Sequence, residues 1–395
     1  MTDQQETPVR VGVLGACGWM GRVHSNAYQN IEAYYGKKRG TVEVAWLVDA
    51  EPNALAAQAA KFPTARTTAD WREVIDDPDV DLIDICLPDS LHYEIAKAAI
   101  LAGKHVYCEK PLSDSAAEAR ELAELAKEAG VVTRVGYSFM RNPAHDVARD
   151  IIESGEIGEI TMVKASQHID SFGDPNAPFI WRADGNLAPT GITGDTGSHV
   201  FAILDGLVGS IEYLVADSRI ITPQRPIVEG AGAYGANTEL TGDEPMADVT
   251  NADAVNLVCT FSNGAMGLID FSRTATGRKF EQKYEIYGTR GSLVYNYDEI
   301  NRIRVYSNDD PQGRRGFKAI DVGTENENFA AFLNLPNTGL GYNETKVIEA
   351  SEVIRSVTTG ESMWPDFEAG FRIAQLVEAC QVSSDRRAWV DVASI

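Results

Sequence analysis

A chain of 395 residues, 44% hydrophobic and 24% charged, is long enough for two domains with sizeable cores. Its formal charge of −23 is spread along the chain rather than gathered in a tail, which excludes an affinity for nucleic acid or other polyanions. No apolar run approaches the roughly 18 residues needed to span a bilayer, and the polar residues 1–8 lack the basic flank and apolar core of an export signal, so a cytoplasmic protein with no membrane partner is expected.

In chain order, the apolar run 9–14 reads as a buried strand that enters a turn of Gly15, Cys17, Gly18, Trp19, Met20 and Gly21. Glycines at a strand-to-helix turn let the backbone approach a pyrophosphate, whose charge the helix amides then meet. Gly15, Gly18 and Gly21 stand three apart instead of following G-x-G-x-x-G, so the triple reads either as a nucleotide turn or as a bend with a packing contact. Its place after the first strand favours the nucleotide.

The second strand, 42–48, ends in Asp49. A carboxylate there accepts the ribose hydroxyls of NAD and repels the extra phosphate of NADP. Asp49 also lies just ahead of Pro52, where a helix begins, so a capping role is compatible with the first. With Ala50 and Glu51 following and no arginine to receive a phosphate, NAD is favoured over NADP.

Residues 64–78 supply a third strand and helix. The apolar runs 82–87 and 105–108 read as buried parallel strands joined by a helix over 93–102. Such strands present functional groups at their carboxyl ends, which here carry Leu87, Pro88, Asp89 and His92 on one side and Glu109, Lys110 and Pro111 on the other. A lysine before proline favours an extended backbone, which holds its ammonium at the rim of the sheet. A helix over 113–129 and a strand over 131–136 complete a doubly wound domain, and Arg141-Asn142-Pro143 mark its end, giving domains of 1–141 and 142–395.

Beyond Gly158 the pattern changes to alternating or apolar runs at 160–169, 212–221, 254–261, 265–273, 284–287 and 292–297, separated by Gly and Asn turns. They predict a large, mainly antiparallel open sheet flanked by helices at 196–207, 344–358 and 368–380. Residues 222–251 are rich in Gly, Ala, Pro and acidic residues without periodicity and read as a long loop: a lid, an oligomer arm or a tether. The five cysteines are odd in number and widely spaced, with no Cys-x-x-Cys or Cys/His cluster, so they read as reduced thiols, and no metal is expected.

The motifs Leu91-His92, Ala102-Gly103-Lys104-His105-Val106 and Glu109-Lys110-Pro111 resemble those of the Gfo/Idh/MocA oxidoreductases, as does Met20-Gly21-Arg22-Val23-His24, and the likeness runs from Val9 to Val392. It implies an α/β Rossmann domain that binds NAD, followed by an α+β domain whose sheet carries a homodimer or homotetramer contact on its outer face. It also bears on Asp195 and His199. On a helix starting near Asp195 these two share a face one turn apart, and taken alone they read as a helix cap and a polar residue of the first turn. The resemblance implies instead that they are catalytic together with Lys110.

The chemistry suits those residue types. Removing hydride from a secondary alcohol requires the hydroxyl proton to leave, so a base neutral near pH 7 must touch that oxygen. His199 qualifies, with Lys110 holding the hydroxyl and Asp195 orienting His199 or gripping a neighbouring hydroxyl; a lysine of lowered pKa is the other candidate base. By resemblance, Asn142, Gln167, His168, Trp181, Arg182 and Tyr342 face the nicotinamide and suit a neutral polyhydroxylated ring, although each also has a structural reading. No cluster of basic residues suggests a phosphorylated sugar. Within the family, Arg141-Asn142-Pro143-Ala144 and the stretch 272–278 resemble members that oxidise levoglucosan-like pyranoses at C3, with the inositol dehydrogenases next. Two further readings are a glycosidase that oxidises a sugar transiently on bound NAD, and a cofactor-binding regulator without catalysis.

Overall fold

The parallel sheet expected at the start of the chain forms from β1 (Val9–Leu14), β2 (Val42–Val48), β3 (Arg66–Thr68), β4 (Leu82–Ile85), β5 (His105–Cys108) and β6 (Thr133–Val135). Between them run α1 (Trp19–Tyr35), α2 (Pro52–Ala59), α3 (Trp71–Ile75), α4 (His92–Leu101) and α5 (Ala116–Ala129). In this computed structural model, which describes residues 7–228, 230, 240–332, 335 and 339–395, the strand order is β3-β2-β1-β4-β5-β6. All five pairings are parallel. The order reverses between β1 and β4, and the crevice beyond the strand ends at such a reversal is where nucleotides bind in doubly wound sheets.

The chain continues through α6 (Pro143–Glu153), β7 (Ile160–His168), α7 (Ser198–Leu207), β8 (Ile211–Arg219), β9 (Gln224–Pro226), β10 (Met246–Asp248), β11 (Ala254–Phe261), β12 (Met266–Ser272), β13 (Glu281–Gly288), β14 (Gly291–Asn296), β15 (Arg302–Ser307) and β16 (Lys318–Asp321). It closes with α8 (Glu327–Phe332), α9 (Tyr342–Thr359), α10 (Phe367–Arg386) and β17 (Val390–Asp391). A nine-stranded sheet has the order β16-β15-β14-β13-β7-β12-β11-β8-β17. Only β7 and β12 run parallel within it, so the mainly antiparallel sheet is present with three more strands than expected. One face buries Val163, Ala165, Ile269 and Phe271, with the Phe201 ring of α7 edge-on to Phe271 at 5.2 Å.

Two expectations change. The 222–251 stretch is not wholly irregular: β9 and β10 pair antiparallel, and Val249 joins Phe172, Ile180 and Ala183 in a small apolar cluster. Its centre, 229 and 231–239, and the chain's start, 1–6, lie outside the described residues. The division of the chain also differs from 1–141 and 142–395. One compact unit comprises the chain up to Asn142 together with Glu327–Phe371, and the other comprises Pro143–Asn326 with Arg372–Ile395.

Charge explains why α9 belongs to the first unit. Lys346 is fully buried, with its ammonium 2.8 Å from Glu109 and 2.7 Å from Glu349. Tyr107 donates to Glu349. His24, equally buried, lies 3.0 Å from Asp84 through Nδ1 and 3.0 Å from Glu109 through Nε2, and the Tyr28 hydroxyl donates to Asp84. Farther along α9, Glu352 receives Arg134 at 2.7 Å and Arg141 at 3.0 Å. Four carboxylates, Asp84, Glu109, Glu349 and Glu352, thus meet four cations, so the buried set is neutral when His24 is protonated. Burial alone would depress the His24 pKa, but Asp84 beside it and hydrogen bonds to Asp84 and Glu109 raise it.

A raised folded-state pKa contributes stability that is fully present below the unfolded value of 6.5 and is lost as the pH rises through the elevated one. Removing one partner of such a set leaves an uncompensated buried charge, costing about 3–5 kcal/mol. His24→Ala therefore lowers the unfolding free energy by about that amount in urea titrations, most strongly below pH 6.5, with the deficit shrinking as the pH rises. A deficit independent of pH would contradict a protonated His24.

Candidate active site

The glycine triple proves to have two kinds of member. Gly15 has φ 81°, and a Cβ there would come 2.5 Å from the Cys86 carbonyl oxygen; at Gly21 it would come 2.1 Å from the Gly15 oxygen. These two are required by the bend and by its packing on the end of β4. At Gly18 a Cβ would come 3.3 Å from the Gly15 oxygen, a tight contact that demands a small shift of the loop, and the absence of a side chain there leaves the backbone open to close approach by a ligand. Helix α1 begins at the next residue with no side-chain cap and no acidic residue in its first turn. The amides of Trp19, Met20 and Gly21 have no carbonyl a turn earlier in the helix and suit an anion.

Asp49 flanks this turn. Its oxygens accept the Cys17 amide at 2.9 Å and the Glu51 amide at 3.1 Å. It therefore bridges the two loops without being the N-cap of α2, which is Glu51. A carboxylate has about four lone-pair sites, and with the Cys17 thiol also hydrogen-bonded to it Asp49 keeps acceptor capacity for one ribose hydroxyl. Burial and Asp49 push the Cys17 thiol up to about 11, which makes it a neutral part of the loop. Trp19, 56% exposed, stacks on Tyr342 with centroids 5.6 Å apart, and the Tyr342 hydroxyl donates to the Met20 sulfur at 3.5 Å. Tyr342 is thereby positioned against the nucleotide turn, where substrate contact or a place in a loop was expected of it. The turn, its uncapped amides and Asp49 fit NAD.

Beyond β4 and β5, His92 ties the two strand ends together. Its buried ring spans the carbonyl oxygens of Pro111 at 2.6 Å and Leu87 at 2.9 Å, an internal clamp that sets the loop carrying Leu87, the exposed Pro88 and the half-buried Asp89. Glu109 points inward to His24 and Lys346, and its other oxygen accepts the Lys110 amide at 3.2 Å. Lysine and histidine hold this carboxyl well below its usual range despite burial. Lys110 itself is half-buried, and the bond to Pro111 is cis. Asn142, 2% exposed, closes the unit's first segment.

In the second unit, Asp195 lies in a single π turn, Thr193–Gly197, that runs into α7 at Ser198. The backbone is already helical at 191–192, ahead of the π turn, so neither a capping role for Asp195 nor a regular one-turn offset to His199 holds. The wide turn allows Gly197 to press on the Phe271 ring, where a Cβ would come within 2.7 Å. Asp195 pairs with the Arg182 guanidinium at 3.2 Å, and that guanidinium lies 4.3 Å from the centroid of its neighbour Trp181. His199 is 8% exposed. Gln167 is buried and accepts from Gln282 at 3.0 Å, on the sheet face that carries α7.

His168 is the outlier. One residue farther along β7, it points to the opposite face of the sheet, between Asp270 and Glu281 on the two adjoining strands. Hydrogen bonding to Asp270 raises its pKa. The structure thus separates His168 from the face of Asp195, His199 and Gln167.

The sequence reading passed over several residues that set this geometry. Asp84 in an otherwise apolar strand, 0% exposed, demanded a buried partner, which is His24. The fold also brings Cys86 near them, with potential ligand atoms within 4.8 Å, but burial raises that thiol well above its ordinary value and the other atoms bond to one another. In the second unit Arg273 pairs with Asp253 at 2.7 Å and donates at 2.7 Å to the Arg182 carbonyl and to Asn251. The segment that carries Arg182 toward Asp195 is pinned in this way.

Both halves of the chain match models of one family. Residues 9–137 match the GFO_IDH_MocA model, described as an oxidoreductase family with an NAD-binding Rossmann fold. Residues 149–392 match the model of the C-terminal alpha/beta domain of the same oxidoreductases. A levoglucosan dehydrogenase of Pseudarthrobacter phenanthrenivorans is 35% identical over 98% of this chain and 99% of its own. The myo-inositol 2-dehydrogenase of Thermotoga maritima is 25% identical over 79% of this chain and 81% of its own. A solved levoglucosan dehydrogenase in complex with NADH and levoglucosan superposes with a TM-score of 0.90 at 33% identity, covering 98% of this chain and 100% of that one.

Proposed function

The chain is an NAD-dependent dehydrogenase belonging to the Gfo/Idh/MocA oxidoreductase family, and from that premise we propose that it oxidises one secondary hydroxyl of a neutral sugar ring to a ketone. A levoglucosan-like pyranose reacting at C3 is the favoured substrate, ahead of an inositol. The observation that carries this reading is the end-to-end likeness to a levoglucosan dehydrogenase.

NAD, held by the 15–20 turn, Asp49 and the loop of Leu87, Pro88 and Asp89, supplies a hydride acceptor when bound. The remaining work falls to side chains. Lys110 donates a hydrogen bond to the reacting oxygen and stabilises the negative charge that grows there. His199, buried on α7, takes the hydroxyl proton on a ring nitrogen as the general base. Asp195, fixed by Arg182, orients that ring or grips the adjacent hydroxyl. Trp181, 37% exposed, offers an apolar face to the C–H side of a sugar ring.

NADH formation with NAD and with NADP, measured against levoglucosan, glucose, xylose, myo-inositol, scyllo-inositol and a glucoside, tests the reading. NAD with levoglucosan gives the strongest signal; His199→Ala lowers kcat by about 10²–10⁴-fold, and Lys110→Ala abolishes turnover. Silence on every ring, or full activity in Lys110→Ala, contradicts the assignment, and cleavage of the glucoside without net NADH identifies a glycosidase.

We also propose that the enzyme is a homodimer or homotetramer formed through the open face of the nine-stranded sheet. Tyr213, Val258, Met266 and Leu268 are 45%, 43%, 62% and 50% exposed there. Strand register sets Val258 beside Leu268 and Met266 beside Thr260, which in turn lies beside Tyr213. A contiguous apolar patch of this kind on a sheet face marks an interaction surface. Light scattering detects an oligomer for the parent chain and a smaller species for Leu268→Lys; a parent chain that is monomeric at micromolar concentration contradicts the proposal.

A further inference from the structure

Lys346 sits 237 residues from Glu109 in sequence, outside every motif by which the site was recognised. Its ammonium makes three buried contacts: Glu109 at 2.8 Å, Glu349 at 2.7 Å and the Tyr107 hydroxyl at 3.1 Å. Tyr107 and Glu109 belong to β5 and to the residue just past its end, so two of the three contacts converge on the strand that delivers Lys110. Glu109 passes the constraint on, since one of its oxygens takes Lys346 and His24 while the other accepts the Lys110 amide. The fit is tight, because a Cβ at Gly136 would come 2.6 Å from the Glu109 carboxylate. The carboxylate is thus walled by Gly136 and braced by two cations.

We propose that Lys346 is a positioning residue for catalysis: through Glu109 it fixes the backbone of the turn that presents Lys110. This rests on the reading of Lys110 as a catalytic residue. A buried ion pair need not stabilise a fold more than apolar side chains of similar volume would, so stability alone gives a weak account of a lysine in this core. Geometry gives a better one. An alternative apolar core holds no carboxylate against the Lys110 amide, and small misplacement of a reacting group is costly in rate.

The test compares wild type, Lys110→Ala, Lys346→Met and the double variant Lys346→Met/Glu109→Leu, which removes both charges and the acceptor of the Lys110 amide. All are assayed well below their measured melting temperatures. Lys346→Met is expected to lower kcat by about ten- to a hundredfold while KM for NAD changes by less than about threefold, and to speed hydrogen exchange at the Lys110 amide about tenfold or more. The double variant regains thermal stability relative to Lys346→Met but stays slow. A double variant that regains wild-type kcat, or exchange at Lys110 unchanged in both variants, overturns the proposal and leaves Lys346 a structural charge. The exchange measurement needs no turnover. If wild type oxidises no ring, or Lys110→Ala keeps full activity, the functional reading and the catalytic part of this proposal fall together, while exchange still reports whether Lys346 holds the turn.

Discussion

The buried pair of Lys346 and Glu109 is the constraint on which the first unit depends. A lysine with no exposed surface requires full compensation of its charge, and two carboxylates and a tyrosine provide it. That requirement draws α9 onto β5 although most of the nine-stranded sheet intervenes in the chain. It also dictates the partners of Glu109 and, through them, His24 and Asp84. Breaking any member would leave the next one unmatched, so the set behaves as one object.

The second unit uses the same device for a different side chain. Arg273, 2% exposed, is matched by Asp253 and uses its remaining donors on Asn251 and the Arg182 carbonyl. Arg182 then reaches Asp195. In each unit a deeply buried cation acts on a backbone segment, and that segment carries a side chain assigned to the chemistry. Groups held by such networks are placed before any ligand binds, which is the condition under which hydrogen-bond donors stabilise developing charge most effectively.

What could be read from the amino-acid sequence follows the range of the forces involved. Strand-helix alternation over the first 136 residues and the period-2 runs of the second half are local signals, and they produced the two sheets. Strands β16 and β17 were missed because one is exposed throughout and the other is two residues long, which leaves little apolar pattern to detect, whereas β15 alternates through Ile303 and Val305 and was legible but passed over. The return of 327–371 to the first unit was invisible because it depends on pairings such as Lys346 with Glu109, distant in sequence. His168 looked like a neighbour of Gln167 in function, yet the two-residue period of a strand sends adjacent side chains to opposite faces. The irregular spacing of Gly15, Gly18 and Gly21 was legible as a turn, but only packing shows that Gly15 and Gly21 meet the backbone far more closely than Gly18 does. The π turn at Asp195 had no signature beyond its glycines.

The most direct test of the functional account follows the hydride itself. Levoglucosan carrying deuterium at C3 is incubated with the enzyme and NAD, and the reduced cofactor is examined by mass spectrometry. The account predicts that deuterium appears in NADH in step with ketone formation, with a slower rate than for the protiated sugar wherever hydride transfer limits turnover. NADH formed without deuterium would move the oxidised carbon away from C3, and deuterium retained in the sugar with no NADH formed would contradict a dehydrogenase acting on this ring.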